Sequence, residues 1–242
     1  MSAFREISPG LMVRGITPPL NLADYKLVAF DMDSTLINIE CVDEIADAVG
    51  MKEEVAAITE AAMRGEIADY KESLRQRVKL LRGVTVADLE QVYVERLQLN
   101  PGAKELVAAC KAAGMKTLLV SGGFTFFTDR VRDTLGIDFT RSNVLELESG
   151  PNCGQLTGRM VDQDWGDICD GAEKRKMFLQ TCAQLGISRR QAIAMGDGAN
   201  DLPMMGEAGL SVAYRAKPKV REQAMVQINA GGLDRLLEIL VR

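Results

Sequence analysis

Leu27–Glu40 reads LVAFDMDSTLINIE: four apolar residues, Leu27-Val28-Ala29-Phe30, run straight into Asp31, and Asp33 and Thr35 follow at alternate positions. An unbroken apolar run of this length reads as a strand buried on both faces. Two carboxylates at its C-terminal end are costly unless something binds them. The carboxyl ends of buried parallel strands are also where open α/β sheets hold ligands.

Working outward, the same grammar recurs twice. Strand Met115–Val120 runs into Ser121-Gly122-Gly123, and strand Gln191–Met195 runs into Gly196-Asp197-Gly198. From residue 101 onward strand and helix alternate. Helices are expected at Ala103–Ala113, Phe124–Leu135, Glu173–Leu185, Asn200–Ala208, Pro218–Ala224 and Leu233–Leu240. Further strands are expected at Leu210–Ala213 and Val226–Asn229. Residues Asp138–Gly158 read as short strands around a turn at Gly150-Pro151-Asn152. Such alternation predicts an α/β fold, a Rossmann-like parallel sheet with helices on both faces.

Between the first strand and Pro101 the pattern is wholly helical. Val42, Ile45, Ala46 and Val49 share one helix face, Val55, Ile58 and Ala62 a second, and Leu74, Val78 and Leu81 a third. Thr85 is the expected N-cap of a fourth, with stripe Leu89, Val92 and Leu97. The expected organisation is a core of residues 1–41 and 101–242 with a small helical cap inserted at 42–100. Residues 1–24 read as an arm packed on the core, with short strand character.

Composition narrows the chemistry. Of 242 residues, 47% are hydrophobic and 26% charged, which is ordinary for a globular protein. The net charge of −5, with no basic run, argues against a nucleic-acid surface. No stretch is long and apolar enough for a membrane span. The five cysteines are odd in number, scattered and without a CxxC, the pattern of reduced thiols in a cytoplasmic protein. There is no histidine. That removes Ser-His-Asp and Cys-His catalysis and most zinc sites, and leaves acid–base work to carboxylates, lysine or tyrosine.

A parallel sheet brings the three strand-end turns to one edge, whatever their separation in sequence. Asp31, Asp33 and Asp197 offer only oxygen, which suits Mg²⁺ sharing its shell with a phosphate. Glycines 122, 123 and 198 let backbone N–H groups approach an anion, and Ser121 adds a hydroxyl. Lys174 and Lys176 open the helix before the third turn, and one of them could reach the site. Asp197 and Asp201, with Asn200 between, straddle a helix start. Each motif alone is commonplace. Their order, strand–DxDxT, strand–SGG, Lys, strand–GDxxND, is not.

This set resembles the haloacid-dehalogenase superfamily, and DMDSTLINIECVDEIA, SLRQRV, VSGGF and GDGANDLPM resemble its phosphoserine phosphatases over about residues 25–230. The resemblance implies a Mg²⁺-dependent hydrolysis of O-phospho-L-serine to serine and phosphate, in serine biosynthesis, through an aspartyl-phosphate. It implies Asp31 as nucleophile and Asp33 as acid–base group. The metal ligands implied are the Asp31 carboxylate, the Asp33 carbonyl and Asp197, with Asp201 behind them. Ser121, Gly122 and Lys174 are implied for the phosphoryl oxygens, Lys174 being preferred to Lys176 on the family spacing. Glu40 is implied for the substrate ammonium, Arg77 for its carboxylate, and Asn200 joins the substrate-binding set. Met63 and Tyr70 form the apolar wall. A phosphatase or phosphotransferase acting on another small phosphorylated amino acid or alcohol, such as homoserine, is the alternative. Two departures stand out. One extra residue lies between Met63 and Ser73, with Tyr70 where Phe is expected, and the stretches Pro151–Gly154 and Asp162–Asp167 are longer than usual.

Overall fold

A computed structural model describes residues 3–63, 66–67 and 69–241, Met63 by its backbone alone. The chain starts with strands β1 (Arg5–Ser8), β2 (Leu11–Val13) and β3 (Leu20–Asn21), followed by the buried strand β4 (Leu27–Phe30). Helices α1 (Cys41–Ala48), α2 (Lys52–Met63), α3 (Tyr70–Leu80) and α4 (Val86–Glu95) come next. Thr85 caps α4 as expected, in a reciprocal capping box with Asp88.

The second half runs α5 (Ala103–Ala112), β5 (Lys116–Phe124), α6 (Thr125–Leu135), β6 (Phe139–Leu147), β7 (Leu156–Val161) and α7 (Gly171–Gln184). Then come β8 (Ala192–Gly196), α8 (Leu202–Met205), β9 (Leu210–Tyr214), α9 (Pro218–Gln223), β10 (Val226–Ile228) and β11 (Leu240–Val241). Among the described residues no helix is long and apolar enough to cross a membrane.

The main sheet has the order β1-β2-β10-β9-β8-β4-β5-β6-β7. Strands β10 to β6 are mutually parallel, and antiparallel strands close both edges. β4 lies near the centre, and its four residues divide between two cores. Val28 and Phe30 pack into the cluster on one face, Leu27 and Ala29 into that on the other. Burial on both faces is what the unbroken apolar run encodes.

Three local expectations need correction. The Ser-Gly-Gly turn does not follow the strand but lies within β5, as an irregularity between Val120 and Phe124, where the Gly123 N–H donates to Ser121 Oγ at 2.8 Å. The helix expected over Asn200–Ala208 shrinks to a 3₁₀ turn, Ala199–Asp201, and the four residues of α8. The C-terminal helix expected at Leu233–Leu240 is a 3₁₀ segment, Leu233–Glu238, leading into β11. Its buried residues Leu233, Leu236 and Ile239 recur every third position, the period of a 3₁₀ rather than an α-helix.

Candidate active site

The sheet register assembles the site. Phe30 of β4 sits beside Leu119 of β5 and Met195 of β8. The residues just beyond those three, Asp31, Ser121 and Asp197, therefore emerge side by side at one sheet edge. Past Asp31 the chain makes an irregular turn, Met32–Leu36, in which Ser34 takes φ +57°. A non-glycine residue held left-handed is uncommon and needs support from its surroundings. Here the Ser34 hydroxyl donates to Glu40 Oε1 at 2.7 Å and its N–H to the Ile39 carbonyl at 3.1 Å. The turn aims the Asp33 carboxylate at the start of α1, where the Cys41 N–H (3.0 Å) and Cys41 thiol (3.2 Å) both donate to it.

Lys174, on the first turn of α7, is fully buried and lies beneath this turn. Its ammonium donates to Asp31 Oδ1 at 2.5 Å and to Asp201 Oδ1 at 2.6 Å. Lys176, two residues on, points elsewhere and donates to the Trp165 carbonyl. The second oxygen of Asp201 accepts the N–H groups of Asp197 (3.2 Å) and Gly198 (3.0 Å). Gly196 makes room for this arrangement, since a Cβ there would stand 2.4 Å from the Asp201 carboxyl carbon.

Asp31, Asp197 and Asp201 converge so closely that one oxygen from each lies within 4.8 Å of the others. Both oxygens of Asp201 already accept hydrogen bonds, whereas Asp31 and Asp197 each keep an oxygen free of one. One buried ammonium, Lys174, faces this crowd, with the exposed Lys217 at the rim, and the acidities show the imbalance. Burial, then the Asp201 charge, pushes Asp31 well above the carboxylate range. Burial and the neighbours Asp201 and Glu40 raise Asp197 to about 7. Burial and Glu40 raise Asp33 to about 7 against the two bonds from Cys41. Burial alone would depress Lys174, but Asp201 and Asp31 hold its ammonium well above its ordinary value. An oxygen-only set with excess negative charge fits a hard divalent cation.

Above the carboxylates opens a cleft of about 670 Å³. Asp31, Asp33, Glu40, Arg77, Ser121, Gly122, Asp197 and Asn200 all line it. Lys174 and Asp201 do not, being sealed beneath Asp31. Tyr70 of α3 reaches across, and a Cβ built on Gly122 would lie 2.3 Å from its hydroxyl oxygen. The expected wall residue Met63 has a side chain outside the described residues. Two lining residues escaped the sequence reading. Lys217 stands with its ammonium 4.0 Å from Asp197 Oδ2, just past the end of β9. Counting that strand's end with the other three would have found it. Asp43 brings to the cleft a buried Oδ1 with no partner among the described residues; its helical spacing beside Val42 gave no separate signal.

Carboxylates at a parallel strand end, a buried lysine behind them and a glycine turn beside them place the chain with known proteins. It belongs to the haloacid dehalogenase-like hydrolase family, whose model matches residues 25–209, and it is a hydrolase. Within that family its similarity is narrower. The phosphoserine phosphatase of Polaromonas sp. is 78% identical over 97% of this chain and 98% of its own length. That of Albidiferax ferrireducens is 75% identical over 96% of this chain and 97% of its own. A solved phospho-aspartyl intermediate analogue of phosphoserine phosphatase superposes with a TM-score of 0.80 at 34% identity, over 90% of this chain and 99% of that one.

Proposed function

We propose that the chain hydrolyses O-phospho-L-serine to L-serine and inorganic phosphate, with Mg²⁺ as its divalent ion, in serine biosynthesis and in the cytoplasm. The observation that carries this reading is that Glu40 and Arg77 line the same cleft as Asp31, Ser121 and Gly122. A zwitterionic phosphate ester needs all three recognitions at once, and a guanidinium can grip its carboxylate through two parallel hydrogen bonds. The names of the close relatives support it.

In this reading a free oxygen of Asp31 attacks phosphorus, and the ester P–O bond breaks as the aspartyl-phosphate forms. Asp33, protonated near neutrality, gives its proton to the departing serine oxygen. It then takes a proton from the water that attacks the intermediate, which frees phosphate and regenerates Asp31. The Ser121 hydroxyl and Gly122 N–H donate to the phosphoryl oxygens. Lys174 orients Asp31 and offsets its charge, and Asn200 borders the bound substrate. Mg²⁺, held by the Asp31 carboxylate, the Asp33 carbonyl and Asp197, with Asp201 behind, would neutralise charge shared between the phosphate and Asp31. Residues 42–100 act as a cap over the core of 1–41 and 101–242, and Tyr70 keeps water from the cleft.

The test is phosphate release from O-phospho-L-serine with Mg²⁺, run beside a panel of small phosphate esters. Arg77→Ala should raise KM for phosphoserine about ten- to a hundredfold, the loss of a charge-assisted pair. It should spare an ester without a carboxylate. No phosphate from phosphoserine, with good turnover of another ester, sinks the substrate; equal losses on both esters would make Arg77 structural.

The metal leaves a pH signature. Asp33 and Asp197 hold protons up to about pH 7 in the metal-free fold but only to about 4 in the unfolded chain. The folded state then binds more protons, so metal-free stability falls as pH rises from about 4 to about 7. Mg²⁺ would displace the proton on Asp197 and relieve the repulsion among the clustered carboxylates, while Asp33, a ligand only through its carbonyl, keeps its own. The Tm difference between Mg²⁺ and chelator should widen from pH 5 to pH 8, and a constant difference would refute the linkage.

A further inference from the structure

Helix α3 presents two working faces. Tyr70, Ser73, Leu74 and Arg77 look into the cleft. Lys71 and Arg75, one turn apart, lie on the adjoining face and end on a single carboxylate. Lys71 Nζ is 2.6 Å from Asp167 Oδ1, and Arg75 Nη2 is 2.6 Å from Asp167 Oδ2. Asp170 stands 3.9 Å from the same Lys71 ammonium.

Asp167 belongs to the long stretch between β7 and α7, and this stretch is fastened to the core. Gln163 and Gly166 close a turn on each other through paired backbone bonds. Lys176 of α7 donates to the Trp165 carbonyl at 3.0 Å, and the Trp165 ring lies 5.3 Å from the Arg141 guanidinium. The Cys169 N–H donates at 2.8 Å to the buried side chain of Asn143, whose amide donates at 2.8 Å to the Gly122 carbonyl. Asp170 then caps α7, four residues before Lys174. One short segment thus links the phosphate-binding turn, the lysine helix and the helix that carries Tyr70 and Arg77.

We propose that Asp167 is a positioning residue for the reaction: by holding Lys71 and Arg75 together it seats α3 so that Tyr70 stands over Gly122 and Arg77 faces the substrate. Two bonds one helical turn apart fix the rotation of α3 as well as its distance, because residues four apart share a face. The Lys71 ammonium keeps the Asp167 carboxyl below its usual range, so the grip persists through neutral pH. Side-chain exposures of 29% for Lys71, 36% for Asp167 and 47% for Arg75 leave the cluster open to counterions. A grip of that kind is modest and sensitive to salt. It seats α3 beside the cleft without locking it there.

The kinetic arm of the test rests on the phosphoserine reading; the exchange arm does not. Asp167→Asn keeps the shape and removes the charge. It should raise KM for phosphoserine about three- to tenfold and leave kcat within about twofold, a size set by two partly exposed pairs. Wild-type KM should climb between low salt and about 0.5 M salt while the variant's stays level. Amide hydrogen exchange over Tyr70–Leu80 should quicken by a similar factor. Arg75→Gln should act in the same direction with smaller effect. Unchanged KM with unchanged exchange overturns the proposal, as does a fall in kcat at constant KM, which marks a general loss of fold. A wild-type chain that ignores phosphoserine refutes the functional reading alone, and exchange over α3 still decides the role of Asp167.

Discussion

Asp31→Asn is expected to lower turnover of phosphoserine by on the order of 10⁴-fold or more, the scale on which nucleophile deletions act, while the fold survives intact. The amide keeps the shape of the carboxyl but cannot form the acyl phosphate. The stability side follows from the crowding. Asp31 is 5% exposed and packed against Asp201 and Asp197. Removing its charge takes one carboxylate from a set balanced by the buried Lys174 and, at the rim, the exposed Lys217. Metal-free Asp31→Asn should therefore unfold at a Tm equal to or above that of wild type, and it should gain less from added Mg²⁺. Retained phosphatase activity would exclude Asp31 as nucleophile. Lost activity together with a sharply lowered Tm would make Asp31 a structural residue instead.

Lys174→Met has the opposite profile on stability. Lys174 and Asp201 are completely buried, and the lysine gives each of two carboxylates a hydrogen bond of 2.5–2.6 Å. Methionine fills similar volume yet leaves both carboxylates without their cation. Breaking a buried pair from one side costs about 3–5 kcal/mol. Urea unfolding at pH 7.5 should report a loss of that size, and a smaller one at pH 5, where the orphaned carboxyls take up protons rather than stay charged. Turnover should drop about 10²- to 10³-fold, the effect of removing one fixed donor from a developing charge. Lys174→Arg should not restore it, because Lys174 is completely buried and a larger planar guanidinium in its place forces packed neighbours to shift. A variant as stable as wild type at both pH values would mean that Lys174 is solvated and that the buried triad is not what balances Asp31.

What could be read from the residues alone was whatever local pattern and sheet geometry control. The apolar run Leu27–Phe30 and the alternation after Pro101 were enough to put Asp31, Ser121 and Asp197 on one edge, because parallel strands align their ends without regard to sequence distance. Thr85 announced α4 through its cap. The features that stayed hidden depend on contacts between distant segments. β2 is three residues long and lies between β1 and, from the far end of the chain, β10, so nothing near it marks its place in the sheet. Lys174 was legible as the lysine of the site, but its seat was not: it is sealed beneath Asp31 and paired with Asp201 rather than lining the cleft. Glu40 is exposed and ties down Ser34, a second task that no motif discloses. Asp167 sat in a stretch with no periodic signal at all, and its partners lie 92 and 96 residues earlier.

The placement of β4 has a consequence for how the molecule is made. The strand bearing Asp31 leaves the ribosome early, yet its sheet neighbours are β5, from residue 116, and β8, ending at Gly196. Until that last strand is synthesised, one edge of this wholly apolar strand has no ladder to join, and its pairing is among the slower kinds to form. The four helices that follow β4 are made in that interval. A nascent chain paused short of Gly196 therefore carries Asp31 on a strand with one open, sticky edge, and that strand gains its second neighbour only once residue 196 has been made.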